Sequence, residues 1–158
     1  MGAGPAGMIA AARAAESGAK VTLIDKNEKA GKKLYITGKG RCNVTNACDI
    51  EDFFDNIAHN PSFCYSAVYT FTPADTAALI EKNGTPLKCE RGNRVFPVSD
   101  KASDIIKALE KNMRGVCVML KTRFDGVLCA ENKVTGIKFN GKVYPADTVI
   151  LALGGASY

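Results

Sequence analysis

The sequence predicts an α/β protein, a parallel sheet flanked by helix and lacking its first strand, followed by a β-meander. Three observations predict it. "GAGPAG" at residues 2–7 opens an alanine-rich stretch, "KVTLID" follows as a short apolar run ending on an acid, and from Val116 the hydrophobic period becomes that of strands. Glycine loop, helix, strand and acid, in that order, are the later part of a βαβ unit of the Rossmann type.

Each element has its own reason. "PAGMIAAARAAES" is rich in alanine, with Pro5 at its opening turn and Gly18 just past its end, so it is predicted helical. Its small residues Ala6, Gly7, Ala10 and Ala11 let the backbone lie close to a sheet. "KVTLID" is predicted to be a buried parallel strand. The middle is expected to be mostly helical. Asn46 or Asp49 starts a helix through Phe53, Phe54 and Ile57; Thr72 caps "PADTAALIEKNG"; and Ser99 starts "DKASDIIKALEKN", with Ile105, Ile106 and Leu109 on one face. "RGNRVFPVSD" between the last two is a polar turn passing into an extended piece. "VCVMLKTRF", "GVLCAE", "KVTGIKFN" and "KVYPA" are meander strands, with Asn140-Gly141 as a hairpin turn, and "DTVILALGG" is predicted to be a fully buried strand running into a glycine turn.

Composition narrows the function classes. The chain has 158 residues, a length that suits one domain, with 46% hydrophobic and 23% charged residues, as in an ordinary globule. Its net charge is +5, and basic residues gather at Lys26, Lys29, Lys32, Lys33, Lys39 and Arg41, beside the glycine loops, which favours an anionic cofactor. The aromatics do not interleave with those charges, so no nucleic-acid partner is expected. Six widely spaced cysteines without a C-x-x-C pair argue against a zinc site and against a dithiol reductase, no metal is expected, and they read as reduced cytoplasmic thiols. No apolar run reaches the ~20 residues of a membrane span, so no membrane partner is expected either.

The chemistry concentrates in two stretches. By itself G-x-G-x-x-G occurs in many glycine-rich turns. Here it opens a helix, and the strand after that helix ends in Asp25, 18 positions beyond Gly7, where a carboxylate can hold a ribose hydroxyl. Gly2 permits the tight turn, Gly4 the approach of a pyrophosphate and Gly7 close helix packing. The anionic Asp25 repels a 2′-phosphate, which favours FAD or NAD over NADP. The second stretch is "TGKGRCN", which joins two glycines to Lys39 and Arg41. Such a loop suits a pyrophosphate or the electron-rich edge of a flavin; a basic surface turn fits its composition equally well.

"GAGPAGMIAA", "DKNEKAGKKLYITGKGRCNVTN", "RVFPVSDKASDI" and "VILALGGASY", in that order, resemble the BaiN-type (aminoacetone-oxidase-type) family of FAD-dependent, NAD(P)-linked oxidoreductases. The resemblance runs from Gly2 to Tyr158, and the second and third motifs are more specific than the first. It implies a glutathione-reductase-like FAD-binding Rossmann domain, interrupted in the family by a second domain, and FAD held non-covalently, with NAD(P)H as electron donor. Residue by residue, it implies that Gly2, Ala3, Gly4, Pro5, Ala6 and Gly7 wrap the pyrophosphate, with Asp25 on the adenosine ribose and Lys26 beside it. Lys33 and the loop Gly38, Lys39, Gly40, Arg41, Cys42 and Asn43 would approach the flavin end. Phe124 would offer backbone groups to adenine, and Gly154 and Gly155 would return the chain to the cofactor. The family more often has Glu at the position of Asp25, which keeps the charge, and Thr at that of Leu153, which costs a hydroxyl.

Other residues divide between structure and function. Arg94 of "RVFP" could face a flavin or a substrate anion, but a salt bridge within the domain is the simpler expectation. Cys42 is expected to be a packed, inert thiol and His59 a capping or exposed side chain. No catalytic acid or base is expected, because flavin supplies the reactivity.

In the doubly wound sheet the strand before "GAGPAG" lies centrally, and Met1 supplies at most its last residue. The expectation is therefore a partial FAD/NAD(P)-binding domain over 1–158, the inserted second domain and C-terminal part lying elsewhere, that folds poorly and binds FAD weakly by itself. The leading function is the FAD-binding portion of a cytoplasmic flavin oxidoreductase acting on a small-molecule substrate. The alternatives are the FAD domain of a tRNA-modifying flavoprotein, a nucleotide-binding fragment without turnover, and a plain NAD dehydrogenase domain, which leaves "TGKGRCN" unexplained.

Overall fold

Pro5 presets the first turn, alanines carry it on, and Gly18 in a left-handed turn (φ 89°) ends it, so the first helix forms as predicted. The computed structural model describes residues 1–155. In chain order the elements are α1 (Pro5–Glu16), β1 (Thr22–Ile24), a 3-10 turn (Thr37–Gly40), β2 (Thr45–Asn46), α2 (Ile50–Asp55), a second 3-10 turn (Pro61–Cys64), α3 (Tyr65–Thr70), α4 (Pro73–Lys82), β3 (Leu87–Glu90), β4 (Arg94–Pro97), α5 (Ala102–Asn112), β5 (Cys117–Met119), β6 (Phe124–Ala130), β7 (Lys133–Phe139) and β8 (Lys142–Pro145). The chain forms two compact units, Met1–Leu34 with Leu109–Tyr158, and Tyr35–Ala108.

In the first unit β1 and β5 pair in parallel, Thr22 opposite Cys117 and Ile24 opposite Met119. The pairing continues past β1, as Asp25 N–H donates to Met119 O at 3.0 Å and Thr122 N–H to Asp25 O at 2.8 Å. Leu23 and Ile24 are buried, and α1 lies against β1 with Gly7, Met8, Ala11 and Ala12 buried. On the other side of β1 run Met1 and Gly2. Gly2 N–H donates to Ile24 O at 2.9 Å, the Met1 ammonium to Ile150 O at 2.6 Å, and Ala152 N–H to Met1 O at 2.8 Å. The residues before the glycine loop thus lie between β1 and the 150–152 segment, the central place the doubly wound sheet requires. β6, β7 and β8, the last three of the four strands expected there, form an antiparallel meander, and Asn140 (φ 47°) with Gly141 (φ 74°) makes its two-residue turn.

The second unit holds a three-stranded antiparallel sheet in the order β2-β4-β3. α4 begins as the sequence predicts. Thr72 Oγ1 accepts from Asp75 N–H at 3.1 Å while Asp75 Oδ2 accepts from Thr72 N–H at 2.8 Å, a complete capping box.

Four expectations need correction. "DTVILALGG" does not become a buried strand. Among the described residues its ladder partner is Met1, through two bonds, and Ile150, Leu151 and Leu153 stay 49%, 59% and 62% exposed, because pairing in the sheet plane satisfies a strand's edge and does not cover its faces. The helix expected from Ser99 starts at Ala102 instead, since Asp100 sits in the left-handed region (φ 55°) and breaks the helical path. The middle of the chain carries the expected helices and, as β4, the expected extended piece, but "VCVMLKTRF" is not a meander strand: its Cys117–Met119 forms β5 and pairs in parallel with β1, because it supplies the sheet neighbour that β1 needs. Finally, Arg94 does not make the expected salt bridge among the described residues; its Nε donates to Arg91 O at 3.0 Å across the β3–β4 turn.

Candidate functional site

The bend at residues 2–7 is shaped by its own backbone. A Cβ on Gly7 would lie 1.8 Å from Gly2 O, so only glycine lets α1 start this close to the preceding turn. Around Gly4, by contrast, nothing lies within 4 Å of where a Cβ would stand, leaving a face where another molecule can approach the backbone. Gly4 is the N-cap of α1 and provides no side-chain cap, Pro5 has no N–H, and the first turn carries no acidic residue. The first helical bond runs from Met8 N–H to Gly4 O at 3.0 Å. The amides of Ala6 and Gly7 consequently have no acceptor among the described residues and stand at the positive end of a 12-residue helix dipole.

Ala3 ties this bend to the rest of the unit. Its N–H donates to Asp25 Oδ2 at 2.6 Å, and its carbonyl accepts from Gly31 N–H at 2.7 Å. The other oxygen of Asp25 accepts from Asn27 N–H at 2.7 Å and Asn27 Nδ2 at 2.8 Å. A carboxylate offers roughly four acceptor positions, so three are used and about one remains for a hydroxyl. Asp25 is therefore a staple of the bend as well as a candidate ligand, and Asn27, which sequence reasoning missed, orients it. Lys26 is exposed beside it. Lys33 Nζ donates to Gly155 O at 3.1 Å and lies 3.4 Å from the position of a Gly154 Cβ, so these three candidate residues do meet. Phe124 opens β6 opposite Phe139 and is half-buried. The last three residues of "VILALGGASY", Ala156, Ser157 and Tyr158, lie outside the described residues.

In the second unit "TGKGRCN" forms a turn with left-handed backbone at Gly38 (φ 56°), Lys39 (φ 55°), Gly40 (φ 87°) and Cys42 (φ 64°). For the two non-glycine residues this costs on the order of 1–2 kcal/mol each. The surroundings hold it. A Cβ on Gly38 would stand 3.0 Å from Asn43 N and 3.1 Å from Phe96 Cε1, so the turn rests on the Phe96 ring. The Arg41 guanidinium lies over the same ring, 4.2 Å from its centroid. It is bonded to Glu90, and to Asp100 with Nε–Oδ1 at 2.8 Å, while Lys88 reaches Asp100 at 2.8 Å and Glu90 at 3.5 Å. Asn43, with its amide nitrogen facing the acceptors, donates to Thr45 O at 3.0 Å and Val95 O at 3.2 Å. Cys42 is buried, and burial pushes its thiol pKa up against a smaller opposing hydrogen bond from Thr37, as befits an inert thiol. Arg41, Cys42 and Asn43 thus engage their own unit, while Gly38 and Lys39 are exposed.

The cluster sets a pH dependence. The bond from Arg41 holds Glu90 below its ordinary value of 4.5, and bonds from Lys88 and then Arg41 hold Asp100 below 3.8. Because both values are depressed in the folded state, the pairing is complete above those ordinary values and is lost as pH falls through the lower folded ones. In an acid titration followed by carboxyl carbon shifts, both groups are expected to protonate at lower pH than an ordinary Glu and Asp. Arg41→Ala is expected to return Glu90 towards its ordinary titration.

Among the described residues no group of three or more His, Cys, Asp or Glu could hold a metal ion, and no helix is long and apolar enough to cross a membrane. All six cysteines are unpaired, and His59 is exposed on a bend.

The family model described as the HI0933-like protein Rossmann domain matches residues 1–158. The chain belongs to that family. It is 34% identical over 162 residues to a 3-dehydro-bile acid delta(4,6)-reductase of Clostridium scindens, covering 98% of this chain and 38% of that protein. It is 33% identical over 159 residues to a ribosomal RNA dihydrouridine synthase of Escherichia coli, covering 99% of this chain and 39% of that one. Among solved structures, THI4 of Thermovibrio ammonificans matches with a TM-score of 0.59 at 14% identity, over 88% of this chain and 45% of that chain. Glycine oxidase of Bacillus cereus matches with a TM-score of 0.54 at 15% identity, over 92% and 53%. These two likenesses show the fold. The Rossmann architecture and the family expected from the motifs are borne out. The chain spans about two fifths of the length of the curated relatives it matches. The RNA synthase among them leaves the exclusion of a nucleic-acid partner without support.

Proposed function

We propose that this chain is the FAD-binding portion of a flavin-dependent, NAD(P)-linked oxidoreductase. The observation that carries the proposal is the amino end of α1, where the Ala6 and Gly7 amides lack acceptors and the backbone at Gly4 is open, a set of donors that fits a pyrophosphate. In this proposal Gly2, Ala3, Gly4, Pro5, Ala6 and Gly7 wrap the pyrophosphate. Asp25 takes a ribose hydroxyl on its remaining acceptor position, with Lys26 alongside. Lys33, Gly154 and Gly155 close over the cofactor, Phe124 offers backbone to adenine, and the turn from Gly38 to Asn43 faces the flavin. When bound, FAD supplies hydride or electron transfer through its N5. The residues here bind, orient and neutralise charge. NAD(P)H as donor, a small-molecule substrate, a cytoplasmic site of action and an interrupting second domain belong to the same proposal.

The test uses the complete gene product. Its visible spectrum is expected to be that of a flavoprotein, the released cofactor FAD, and NADH or NADPH is expected to bleach it under anaerobic conditions. A colourless protein that takes up no FAD on titration overturns the proposal.

A second function is favoured by the 33% identity to a ribosomal RNA dihydrouridine synthase, namely reduction of an RNA base by the same flavin. Salt-sensitive retention of the complete gene product on RNA would support it.

A further inference from the structure

Glu90 and Asp100 stand 49 and 59 residues from Arg41 of "TGKGRCN", yet with Phe96 of "RVFP" they build one cluster. Phe96 carries both Gly38 and Arg41 on its ring, β3 contributes Lys88 and Glu90, and the turn after β4 contributes Asp100. Arg41 keeps 34% of its side-chain surface exposed, and its partners 29% and 44%. Ion pairs this exposed contribute little to global stability; what a planar, ring-stacked guanidinium bridging two carboxylates does well is fix geometry. The geometry it fixes is strained, with left-handed backbone at Lys39 and Cys42 on either side of it.

We propose that Arg41, seated on Phe96 and bonded to Glu90 and Asp100, is a positioning residue that holds the turn from Gly38 to Cys42 in the shape offered to the flavin and does not itself touch the cofactor. The proposal rests on the FAD reading above. In it, the cofactor meets the backbone of Gly38 to Gly40 and the Lys39 ammonium, and Arg41 acts only through the turn.

The experiment compares Arg41→Ala, the pair Glu90→Gln with Asp100→Asn, and all three together, in the complete gene product. The acceptor pair is the decisive variant, because it leaves the guanidinium in place and removes what holds it. Two readouts are made. Without flavin, amide hydrogen exchange over residues 37–43 is expected to speed by about tenfold in Arg41→Ala. The acceptor pair should match it, with no further gain when all three are combined. With flavin, both variants are expected to weaken FAD binding by a similar factor. A loss about tenfold greater for reduced than for oxidised flavin would read as a fall of about 30 mV in the two-electron potential. Arg41→Lys, which keeps the charge without the planar fork, should rescue neither readout. The proposal is overturned if the acceptor pair leaves FAD binding and potential unchanged while Arg41→Ala lowers them, which means direct contact. Losses that simply add, or exchange that does not change, overturn it too. A wild-type protein that takes up no flavin refutes the FAD reading instead, and the exchange data then decide the clamp by themselves.

Discussion

Gly7→Ala is expected to lower the melting temperature by about 10 °C and to abolish FAD uptake. The added methyl would stand 1.8 Å from the Gly2 carbonyl oxygen, a backbone atom that has no rotamer to escape into. Alanine within a helix ordinarily gains about 1 kcal/mol over glycine. Here overpacking outweighs it, at the upper end of the usual 1–3 kcal/mol or beyond, and ~3 kcal/mol corresponds to that thermal shift for a chain of this size. Gly4→Ala is the control, since its methyl meets nothing within 4 Å. It should leave the melting temperature nearly unchanged, costing less than about 1 kcal/mol at an N-cap, while filling the space through which a pyrophosphate reaches the amides. The pair separates folding from binding on the same helix turn. Equal effects of the two substitutions on both measurements would contradict the account of the bend.

Asp25→Ala has the second-largest expected effect. It removes the acceptor of Ala3 N–H and both bonds from Asn27, leaving part-buried donors unsatisfied. At about 1–3 kcal/mol for each buried orphan, reduced here by partial exposure, the loss should be about 2 kcal/mol of stability. FAD affinity should fall at least tenfold, because both the ribose acceptor and the staple on the bend are gone. Asp25→Asn, with a single carbonyl oxygen, can serve only one side and should lie between. Asn27→Ala tests the staple without touching the ribose acceptor, and should weaken FAD binding by a smaller factor than Asp25→Ala. An unchanged FAD dissociation constant in Asp25→Ala would remove this residue from the site.

The parts of the fold that were legible in the sequence are those fixed by local chemistry. Pro5, the alanines and Gly18 bound α1; Thr72 and Asp75 cap α4; Asn140-Gly141 turns the meander. Of the β2-β4-β3 sheet only β4 was legible, as the extended piece of "RGNRVFPVSD", because strands of two to four residues show no period and their pairing is set by contacts far along the chain. "DTVILALGG" carries the composition of a buried strand, yet burial depends on neighbours that a single stretch cannot reveal, and here Met1 provides two bonds. The same limit applied to the site. The bend and Asp25 could be placed from spacing alone. That Arg41 is engaged by Glu90 and Asp100 could not, since a basic residue in a glycine turn looks the same whether it faces a ligand or its own fold. The left-handed backbone at Cys42 was equally hidden, for cysteine is not a residue that signals it.

In the proposed complex the uncapped amides of α1 and the Asp25 carboxylate grip opposite ends of one adenosine diphosphate moiety. A crystal structure of the complete gene product with FAD tests it most directly. The expected result has pyrophosphate oxygens within hydrogen-bonding distance of the Ala6 and Gly7 amides and a ribose hydroxyl on Asp25. A well-ordered FAD whose pyrophosphate lies away from α1, or whose ribose makes no contact with Asp25, would contradict it.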